Sequence, residues 1–371
     1  MPEKWKASAM IQKKIQSAIG LMSGTSFDGI DIAWIETDGE ACVRPLAFEA
    51  FPYSDMERET VRLALGRREK GAETEAAERI VTERHIACLQ QFMEKNTLQP
   101  GQIDVIGFHG QTVFHDPARK FTWQIGGSQA LADACGIPVV GQMRVADVQA
   151  GGQGAPLLPL YHRALTYELD KPLVVLNIGG VSNITWIGEG AILAFDCGPG
   201  NALLDDFVLK RIGQSYDKDG ALAVKGQGDA TRVKDWLAHP YFFLKPPKSL
   251  DRDAWRHADV SDLSDADGAA TLLEFTVRSI EKGLTLCALP PRSIHVTGGG
   301  RLNGQLMKRL QAVFQFPVAP VEALGWNGDA IEAQGFAYLA VRSLLGLPLT
   351  EPGTTGVPKP LTGGVLYRPN S

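Results

Sequence analysis

Hydrophobic runs along the chain predict the same series of elements twice. In the first series, apolar runs at residues 16–21, 30–36 and 42–50 predict three short strands, because turn residues separate them. Helical periodicity follows at residues 53–65 and 73–96. The segments "DVIGFHG", "GSQALADACG" and "IPVVG" then predict a strand, a helix and a strand.

A second series begins near residue 171. The segments "KPLVVLNIGG", "VSNITWIG" and "GAILAFDCG" predict three strands joined by glycine-bearing turns. Helices are predicted near 201–212 and 229–237, and a longer one carries apolar residues every three or four positions from Leu273 to Cys287. The remaining predicted elements are a strand ("SIHVTGG"), a helix ("RLNGQLMKRLQAVF"), a strand ("PVAPV") and a helix ("NGDAIEAQGFAYLAVRSLLG").

This order of elements predicts a duplicated α/β fold with two lobes. The order of the elements repeats, but the amino-acid sequence itself does not. The glycine-rich "AGGQGAP" marks the expected boundary, with an N-terminal lobe at 1–155 and a C-terminal lobe at 156–371. Whether the last helix and the tail pack back on the first lobe stays open. The tail "EPGTTGVPKPLTGGVLYRPNS" is rich in Pro and Gly and is predicted to lie irregularly on the surface.

Composition narrows the classes of function. The chain has 371 residues, of which 44% are hydrophobic and 21% charged, enough for two cores. Its net charge of −5, with no long basic stripe, makes nucleic acid a poor partner. The five cysteines are scattered without a CxxC pair, so we expect neither a disulfide framework nor a zinc site. We expect a cytoplasmic protein, because no apolar window approaches the ~20 residues of a membrane span and no signal peptide is evident.

Three glycine-bearing turns follow predicted strands, at Ser23–Ser26, Ile178–Asn183 and Thr297–Gly300. Glycine lets the backbone approach a ligand closely, and successive backbone N–H groups can cradle an anion. Each turn alone could be an ordinary tight hairpin. Their matching places in the two halves favour a nucleotide site. The chain has no GxxxxGK[ST] loop, no GxGxxG between a strand and a helix, and no GxSxG elbow.

Four charged residues near the predicted turns are candidates for chemistry. Asp147 precedes the glycines of the expected boundary, and it could take a proton from a phosphoryl acceptor or could cap a turn. Arg144 could bind phosphate or sugar oxygens, or pair with an acid on the surface. Asp196 could hold Mg²⁺ through water or cap the next helix. Glu332 could reach a substrate hydroxyl or lie on a solvated helix face.

Two histidines in "HGQTVFH" are six residues apart, which is not a standard zinc spacing. His109 is predicted at a strand end and His115 in a loop.

The motifs together resemble a known family. In chain order they are "GLMSGTSFDGID", "GFHGQTVFH", "AGGQGAPLLP", "LNIGGVSNIT", "FDCGPGN", "PPKS" and "VTGGG" followed by Asn303. They span residue 20 to about 340 and occur in the order found in anhydro-N-acetylmuramic acid kinases. That family belongs to the sugar kinase, Hsp70 and actin superfamily. The resemblance therefore implies a duplicated, two-lobe actin-like ATPase fold, with ribonuclease H-like lobes and an interlobe cleft.

The resemblance also implies a reaction. These kinases convert 1,6-anhydro-N-acetylmuramic acid, ATP and water into N-acetylmuramic acid 6-phosphate and ADP, in recycling of the bacterial cell wall. ATP and Mg²⁺ are the implied cofactors, and a homodimer is the implied assembly. Two rival interpretations stay open. One is a kinase for an ordinary sugar with a free hydroxyl, and the other is a non-catalytic ATP-binding regulator on the same fold.

The motifs carry residue roles over to this chain. Asp147 would be the catalytic base, whereas the motifs assign no Mg²⁺ ligand, and Asp196 stays the candidate for the metal from its place in the sequence. The residues expected to bind ATP are Ser23, Gly24, Thr25, Ser26, Asp28, Gly179, Gly180, Asn183, Gly298, Gly299 and Gly300. The residues expected to bind the sugar are His109, Gln111, Thr112, Arg144, Gln153 and Glu332.

The sequence departs from the family pattern at two places. Gln142 and Met143 precede Arg144, where an acidic and an aromatic residue are expected. Leu250 and Asp251 follow "PPKS", where Thr and Gly are expected. Both departures concern the shape of the sugar pocket.

Overall fold

The computed structural model describes residues 14–24 and 27–370. Its strands are β1 (Gln16–Met22), β2 (Gly29–Thr37), β3 (Val43–Pro52), β4 (Val105–Phe108), β5 (Gln111–Asp116), β6 (Phe121–Ile125), β7 (Val139–Gly141), β8 (Leu173–Ile178), β9 (Val181–Ile187), β10 (Ile192–Pro199), β11 (Ile294–Thr297), β12 (Val318–Pro320) and β13 (Val365–Tyr367). Its α-helices are α1 (Asp55–Leu63), α2 (Ala72–Lys95), α3 (Ser128–Cys135), α4 (Val145–Gln149), α5 (Pro159–Leu165), α6 (Ala202–Ile212), α7 (Ala230–Trp236), α8 (Asp265–Leu284), α9 (Gly304–Val313), α10 (Ile331–Leu344) and α11 (Pro352–Thr355).

Two large sheets share one topology. The first has the strand order β13-β7-β4-β1-β2-β3 and the second the order β10-β9-β8-β11-β12. In each, three antiparallel strands form a meander whose first strand pairs in parallel with the next strand of the sheet. A further parallel strand follows, β7 in the first sheet and β12 in the second. The predicted duplicated α/β fold, with its actin-like order of strands, is confirmed.

Helix α10 packs directly on the first sheet, against β1, β2 and β4. Two strand glycines make this approach possible. A Cβ atom added to Gly20 would lie 1.8 Å from the carbonyl oxygen of Ala333, and one added to Gly107 would lie 2.0 Å from that of Phe336. Almost the whole of α10 is buried as a result. Helix α8 covers the second sheet, where it contacts β9 and β10. The lobe boundary near residue 155 stays a prediction.

The tail is more ordered than its composition predicts. Residues 352–355 form α11, with Pro352 in the first turn and Thr354 bonded to the backbone of Glu351 at its start. Strand β13 then pairs antiparallel with β7 at the edge of the first sheet. The prediction of an irregular surface tail is therefore wrong, because these short segments gain their structure from partners far away in sequence.

Two smaller predictions also need correction. Residues 111–125 form the β5–β6 hairpin, so His115 lies in a strand and not in a loop. Helix α8 ends at Leu284, three residues before Cys287, and begins after Ser264, whose hydroxyl accepts the N–H of Asp267. Among the described residues, no helix is both long and apolar enough to cross a membrane. The five cysteines, all within the described ranges, are free thiols.

Candidate active site

Asp147 lies in the short helix α4, immediately after the last parallel strand of the first sheet, and is almost fully buried. Its Oδ1 accepts the N–H of Gly154 at 2.7 Å, and its Oδ2 accepts the hydroxyl of Thr355 at 2.6 Å. Gly152 makes room for it, since an added Cβ there would lie 2.2 Å from Oδ1. The carboxylate thus fixes the glycine turn that follows it, and its orientation is set from two sides.

Arg144 immediately precedes α4 and faces inward. Its Nη1 donates to the carbonyl oxygen of Gly154 at 2.7 Å, and its Nε and Nη2 lie 3.2 and 3.1 Å from Nε2 of His109. Burial lowers the pKa of Arg144 to about 10, opposed by the nearby carboxylates of Glu332 and Asp147. The alternative of a surface ion pair is therefore wrong. Arg144 is the cation of a buried acidic site.

His109 is neutral. Burial holds the pKa of its imidazole well below the ordinary value, and the charge of Arg144 adds to this shift. Because Arg144 donates to Nε2, the proton of the neutral ring is expected on Nδ1. The arrangement leaves Arg144 as the only charged member of the pair.

The β5–β6 hairpin contributes a row of polar side chains next to this pair. His115 Nε2 lies 2.9 Å from the carbonyl oxygen of Gln153, and its Nδ1 lies 3.0 Å from the hydroxyl of Thr122. Gln124 donates to the hydroxyl of Thr112 at 3.2 Å. His115 is neutral, because burial and then the charge of Arg144 lower its pKa. Of these residues, the sequence predicted only Thr112 and Gln153 for the site.

Gln153 also connects the hairpin to the second sheet. Its Oε1 accepts the hydroxyl of Ser249 at 2.8 Å, in the loop that carries "PPKS". The next residue, Leu250, donates its backbone N–H to Asp196 at 2.7 Å. This contact does not involve the side chain of Leu250. The departure from the family pattern there therefore leaves this contact unchanged.

The other departure directly precedes Arg144 in the chain. Gln142 has a left-handed φ of 53° and donates to the hydroxyl of Tyr367 in β13 at 2.6 Å. Met143 is buried in the core.

The first glycine-bearing turn is held by Gln111. The buried hydroxyl of Ser23 donates to Gln111 Oε1 at 2.7 Å, and Gln111 Nε2 lies 3.3 Å from the carbonyl oxygen of Gly24. Gln111 thus supports this turn with both ends of its amide. Asp28 follows the turn and is exposed. Thr25 and Ser26, also expected to bind ATP, lie outside the described residues.

The turn between β8 and β9 contains two glycines that the fold itself does not require. A Cβ added to Gly179 would meet its nearest neighbours at 3.8 and 3.9 Å, and one added to Gly180 at 3.6 Å, both ordinary contact distances. Neither residue has a left-handed φ. Space for a close-approaching ligand therefore explains these glycines better than packing does.

The third turn differs from the second. Gly298 has a φ of 77°, and its added Cβ would lie 2.4 Å from Asn177 Oδ1, so packing and backbone conformation both demand glycine. A Cβ added to Gly300 would lie 2.5 Å from the Ile178 side chain, so packing requires glycine there as well. Gly299 alone has room, with 3.6 Å to its nearest neighbour. Asn183 lies on β9, opposite Asn177 of β8, at the same edge of the second sheet.

Asp196 does not have the surroundings of a metal ligand. It is buried, it accepts the N–H of Leu250, and burial raises its pKa to about 7. Lys248 is also buried, donates to the carbonyl oxygen of Tyr241 at 2.8 Å, and has its pKa lowered by burial to about 8. Asp196 does not cap α6 either, since Asn201 stands at that position. No group of three or more His, Cys, Asp or Glu in the described ranges could hold a metal.

Several carboxylates lie close enough to interact across the site. Burial raises the pKa of Asp31 to about 7, and the negative charges of Glu332, Asp329 and Asp28 add to the shift. Burial also raises the pKa of Glu332, opposed by Arg144. Glu332 is therefore not on a solvated face. Asp205, half-buried at the start of α6, has its pKa raised to about 7 by burial and then by other aspartates, Asp206 first.

Comparisons with known proteins agree on one family. A family model described as anhydro-N-acetylmuramic acid kinase matches residues 16–369. A protein with that name from Rhizorhabdus wittichii is 51% identical over 360 residues, which cover 95% of this chain and 99% of the relative. Another from Zymomonas mobilis is 49% identical over 361 residues, covering 94% and 99%.

One solved structure also aligns with most of the chain. A ROK family glucokinase from Streptomyces griseus, in complex with glucose and AMPPNP, matches 87% of this chain and 99% of its own. The TM-score is 0.39 and the identity 13%, so no argument about function rests on it.

Proposed function

Because this chain belongs to the anhydro-N-acetylmuramic acid kinase family, we propose that Asp147 is the catalytic base of its reaction. The enzyme is an ATP-dependent kinase whose small-molecule substrate is 1,6-anhydro-N-acetylmuramic acid and whose product is N-acetylmuramic acid 6-phosphate, in cell-wall recycling. The two rival functions, an ordinary sugar kinase and a non-catalytic regulator, do not match the family.

The substrate explains why a base for water is needed. In the anhydro sugar, the oxygen on carbon six is bound in an ether to the anomeric carbon, so it carries no proton and cannot be phosphorylated as it stands. Asp147 takes a proton from a water molecule as the water oxygen bonds to the anomeric carbon. The bond between that carbon and the oxygen on carbon six breaks, and the freed oxygen attacks the γ-phosphorus of ATP as the bond from that phosphorus to the ADP oxygen breaks and ADP leaves.

The observation that carries this proposal is the fixed carboxylate of Asp147. Gly154 and Thr355 each occupy one lone pair of the carboxylate, so each oxygen keeps one for a water molecule. A base must lie in a defined orientation within hydrogen-bond reach of the proton it removes. The carboxylate of Asp147 is buried and held at both oxygens, so it has a defined orientation even without substrate.

The groups around Asp147 are suited to the sugar. The Arg144 guanidinium can stabilise negative charge that develops on the freed oxygen, since it lies in a buried site where such charge is poorly solvated. Neutral His109, Thr112 and Gln153 offer donors and acceptors for sugar hydroxyls, and Glu332, which interacts electrostatically with Arg144, offers a further acceptor. We assign Gln111 a supporting role at the first turn instead of a direct contact with the sugar.

The nucleotide belongs at the glycine turns. Both sheets end here at the carboxyl ends of their parallel strands, where ligands of α/β proteins bind. Gly179 and Gly180 leave space for the phosphates of ATP, and we assign the turn at Ser23 and Gly24 to the same ligand. In the third turn, only Gly299 has space around it, and we place the adenosine of ATP beside this residue.

Mg²⁺ fits as part of the bound nucleotide. Carboxylate oxygens are its preferred protein ligands, often only one or two of them beside substrate phosphates. Asp28 and Asp205 would hold it, since their carboxylates interact electrostatically near the phosphate turns, whereas Asp196 is already bonded to an amide. When bound, the ion offsets negative charge on the phosphates. We further propose a cytoplasmic homodimer that binds no nucleic acid, consistent with the net charge of −5.

The test is to incubate the purified protein with ATP, Mg²⁺ and the anhydro sugar, and to identify the products by mass spectrometry. We expect a product heavier than the substrate by one water and one phosphoryl group, together with ADP. Parallel reactions contain glucose or N-acetylglucosamine in place of the anhydro sugar. A faster phosphorylation of either simple hexose would overturn the proposal.

A further inference from the structure

The hydroxyl of Thr355 lies directly on the carboxylate proposed as the base. Thr355 is fully buried, and its Oγ1 donates to Asp147 Oδ2 at 2.6 Å, across 208 positions of sequence. A hydroxyl that donates to a carboxylate makes a short and strong hydrogen bond. The Gly154 N–H holds the other oxygen. Without Thr355, only this single amide would set the rotation of the carboxylate about its last side-chain torsion, which has a broad energy minimum.

Thr355 is itself held in place by the second sheet, through a segment we name the C-terminal bridge, residues 351–355. At its start, Glu351 accepts two hydrogen bonds from Arg163 of α5, at 2.9 and 3.2 Å. In its middle, Gly353 lies against β10, where an added Cβ would be 2.1 Å from the carbonyl oxygen of Ile192. At its end, the Thr355 carbonyl oxygen accepts the N–H of Gln153 at 2.7 Å.

We propose that Thr355 is a positioning residue for the base, presented to Asp147 by the C-terminal bridge. The inference rests on the proposed function, because it requires Asp147 to be the base. The second sheet thereby helps to orient a carboxylate that belongs to the end of the first sheet. A misplacement of about 1 Å in a reacting group can cost ~10²-fold in rate. Loss of this hydroxyl should therefore slow turnover without weakening the binding of either substrate.

The neighbouring threonine provides a matched control. Thr354 is also buried, but its hydroxyl bonds only with the backbone of Glu351, at 3.0 Å as both donor and acceptor. We expect Thr355→Val to lower kcat by ~10–100-fold, with KM for the sugar and for ATP within ~2-fold of wild type. Thr355→Ser keeps the hydroxyl and should restore kcat to within ~3-fold. Thr354→Val should keep kcat near wild type even if it lowers the unfolding temperature.

Measurements in the Asp147→Asn variant distinguish a failure of this inference from a failure of the proposed function. In Asp147→Asn, adding Thr355→Val should lower single-turnover rates by less than ~2-fold, because there is no base left to position. If Asp147→Asn alone keeps near-normal turnover, the assignment of Asp147 as the base fails, and the role of Thr355 with it. If Asp147→Asn is slow but Thr355→Val matches wild type, only the role of Thr355 is overturned. Equal losses of kcat in Thr355→Val and Thr354→Val would also overturn it, as an effect of packing.

Discussion

The substitution Asp147→Asn removes the basicity of one carboxylate and nearly nothing else. The amide oxygen can still accept the N–H of Gly154, and the amide nitrogen can donate to the Thr355 hydroxyl, which turns to accept. Both contacts survive, one with its direction reversed. We therefore expect the free energy of unfolding to fall by only about 1–2 kcal/mol. The variant should remain folded under assay conditions, so its kinetics will report on chemistry.

The expected loss of turnover is large. A general base contributes typically ~10²–10⁴-fold, and here it must both orient and activate water. We expect kcat to fall by at least ~10³-fold, which corresponds to roughly 4 kcal/mol of activation free energy. Affinities for ATP and for the sugar, measured by titration calorimetry, should change by less than ~3-fold, because the side chain keeps its size and its contacts.

A matched control is Asp104→Asn. Asp104 also accepts a backbone N–H, from Ser17 at 2.8 Å, but precedes β4, at the opposite end of the parallel strands of the first sheet. It should keep normal turnover. If Asp147→Asn retains more than about a tenth of wild-type kcat, another residue is the base and the mechanism is wrong. Glu332 would then be the next carboxylate to substitute.

Two further predictions concern the nucleotide and the acidic group. The Gly179→Val variant should fold normally, because an added Cβ meets nothing closer than 3.8 Å. Its affinity for ATP, measured by calorimetry, should be at least ~10-fold weaker, because the side chain fills the space proposed for phosphate. Asp31→Asn should raise the free energy of unfolding at pH 8 by roughly 1–3 kcal/mol in denaturant titrations without Mg²⁺, with little change at pH 4.5.

The sign of the second effect follows from the raised pKa. The native protein keeps a proton on Asp31 up to about pH 7, whereas the unfolded chain releases it near pH 3.8. Native stability therefore falls as pH rises from about 4 to 7, and an amide at this position avoids that loss. A constant difference between Asp31→Asn and wild type across this range would contradict the assignment.

The outcome for Gly179→Val is judged against Gly101→Val. A Cβ added to Gly101 would meet no neighbour within 4 Å, and this residue lies in a short turn before β4, at the end of the parallel strands opposite the glycine turns. It should bind ATP as wild type does. Normal ATP affinity in Gly179→Val would remove the β8–β9 turn from the nucleotide site.

Periodicity predicted the parts of the fold that have an apolar face. The strands of both meanders and the helix α8 were predictable because their buried residues repeat every second position or every three to four positions. The β5–β6 hairpin escaped prediction because Thr112, His115, Thr122 and Gln124 replace apolar residues on its strands. The polar residues that build the site therefore weaken the alternating apolar pattern by which a strand is predicted.

The site could be predicted only as far as local sequence carries it. Asp147 stands beside its glycines in sequence, and the glycine turns follow strands, so both could be identified. Thr355 reaches Asp147 across 208 positions, and no local pattern indicates such a contact. The segment "EPGTTG" has the composition of a loop, and only the fold brings it to the carboxylate. Local sequence made Asp196 a candidate for the metal. Its burial and its bond to the backbone of Leu250 depend on distant parts of the chain, so they could not be predicted.

The most direct test of the account is the position of the oxygen that comes from water. The reaction is run with wild-type protein, ATP, Mg²⁺ and the anhydro sugar in ¹⁸O-labelled water, and stopped early because the anomeric oxygen exchanges slowly with solvent. Fragment masses of the product then locate the label. The account predicts ¹⁸O on the anomeric carbon and none on the phosphate group. Label found only in free phosphate, with the sugar unchanged, would show that the protein hydrolyses ATP and would contradict the central claim.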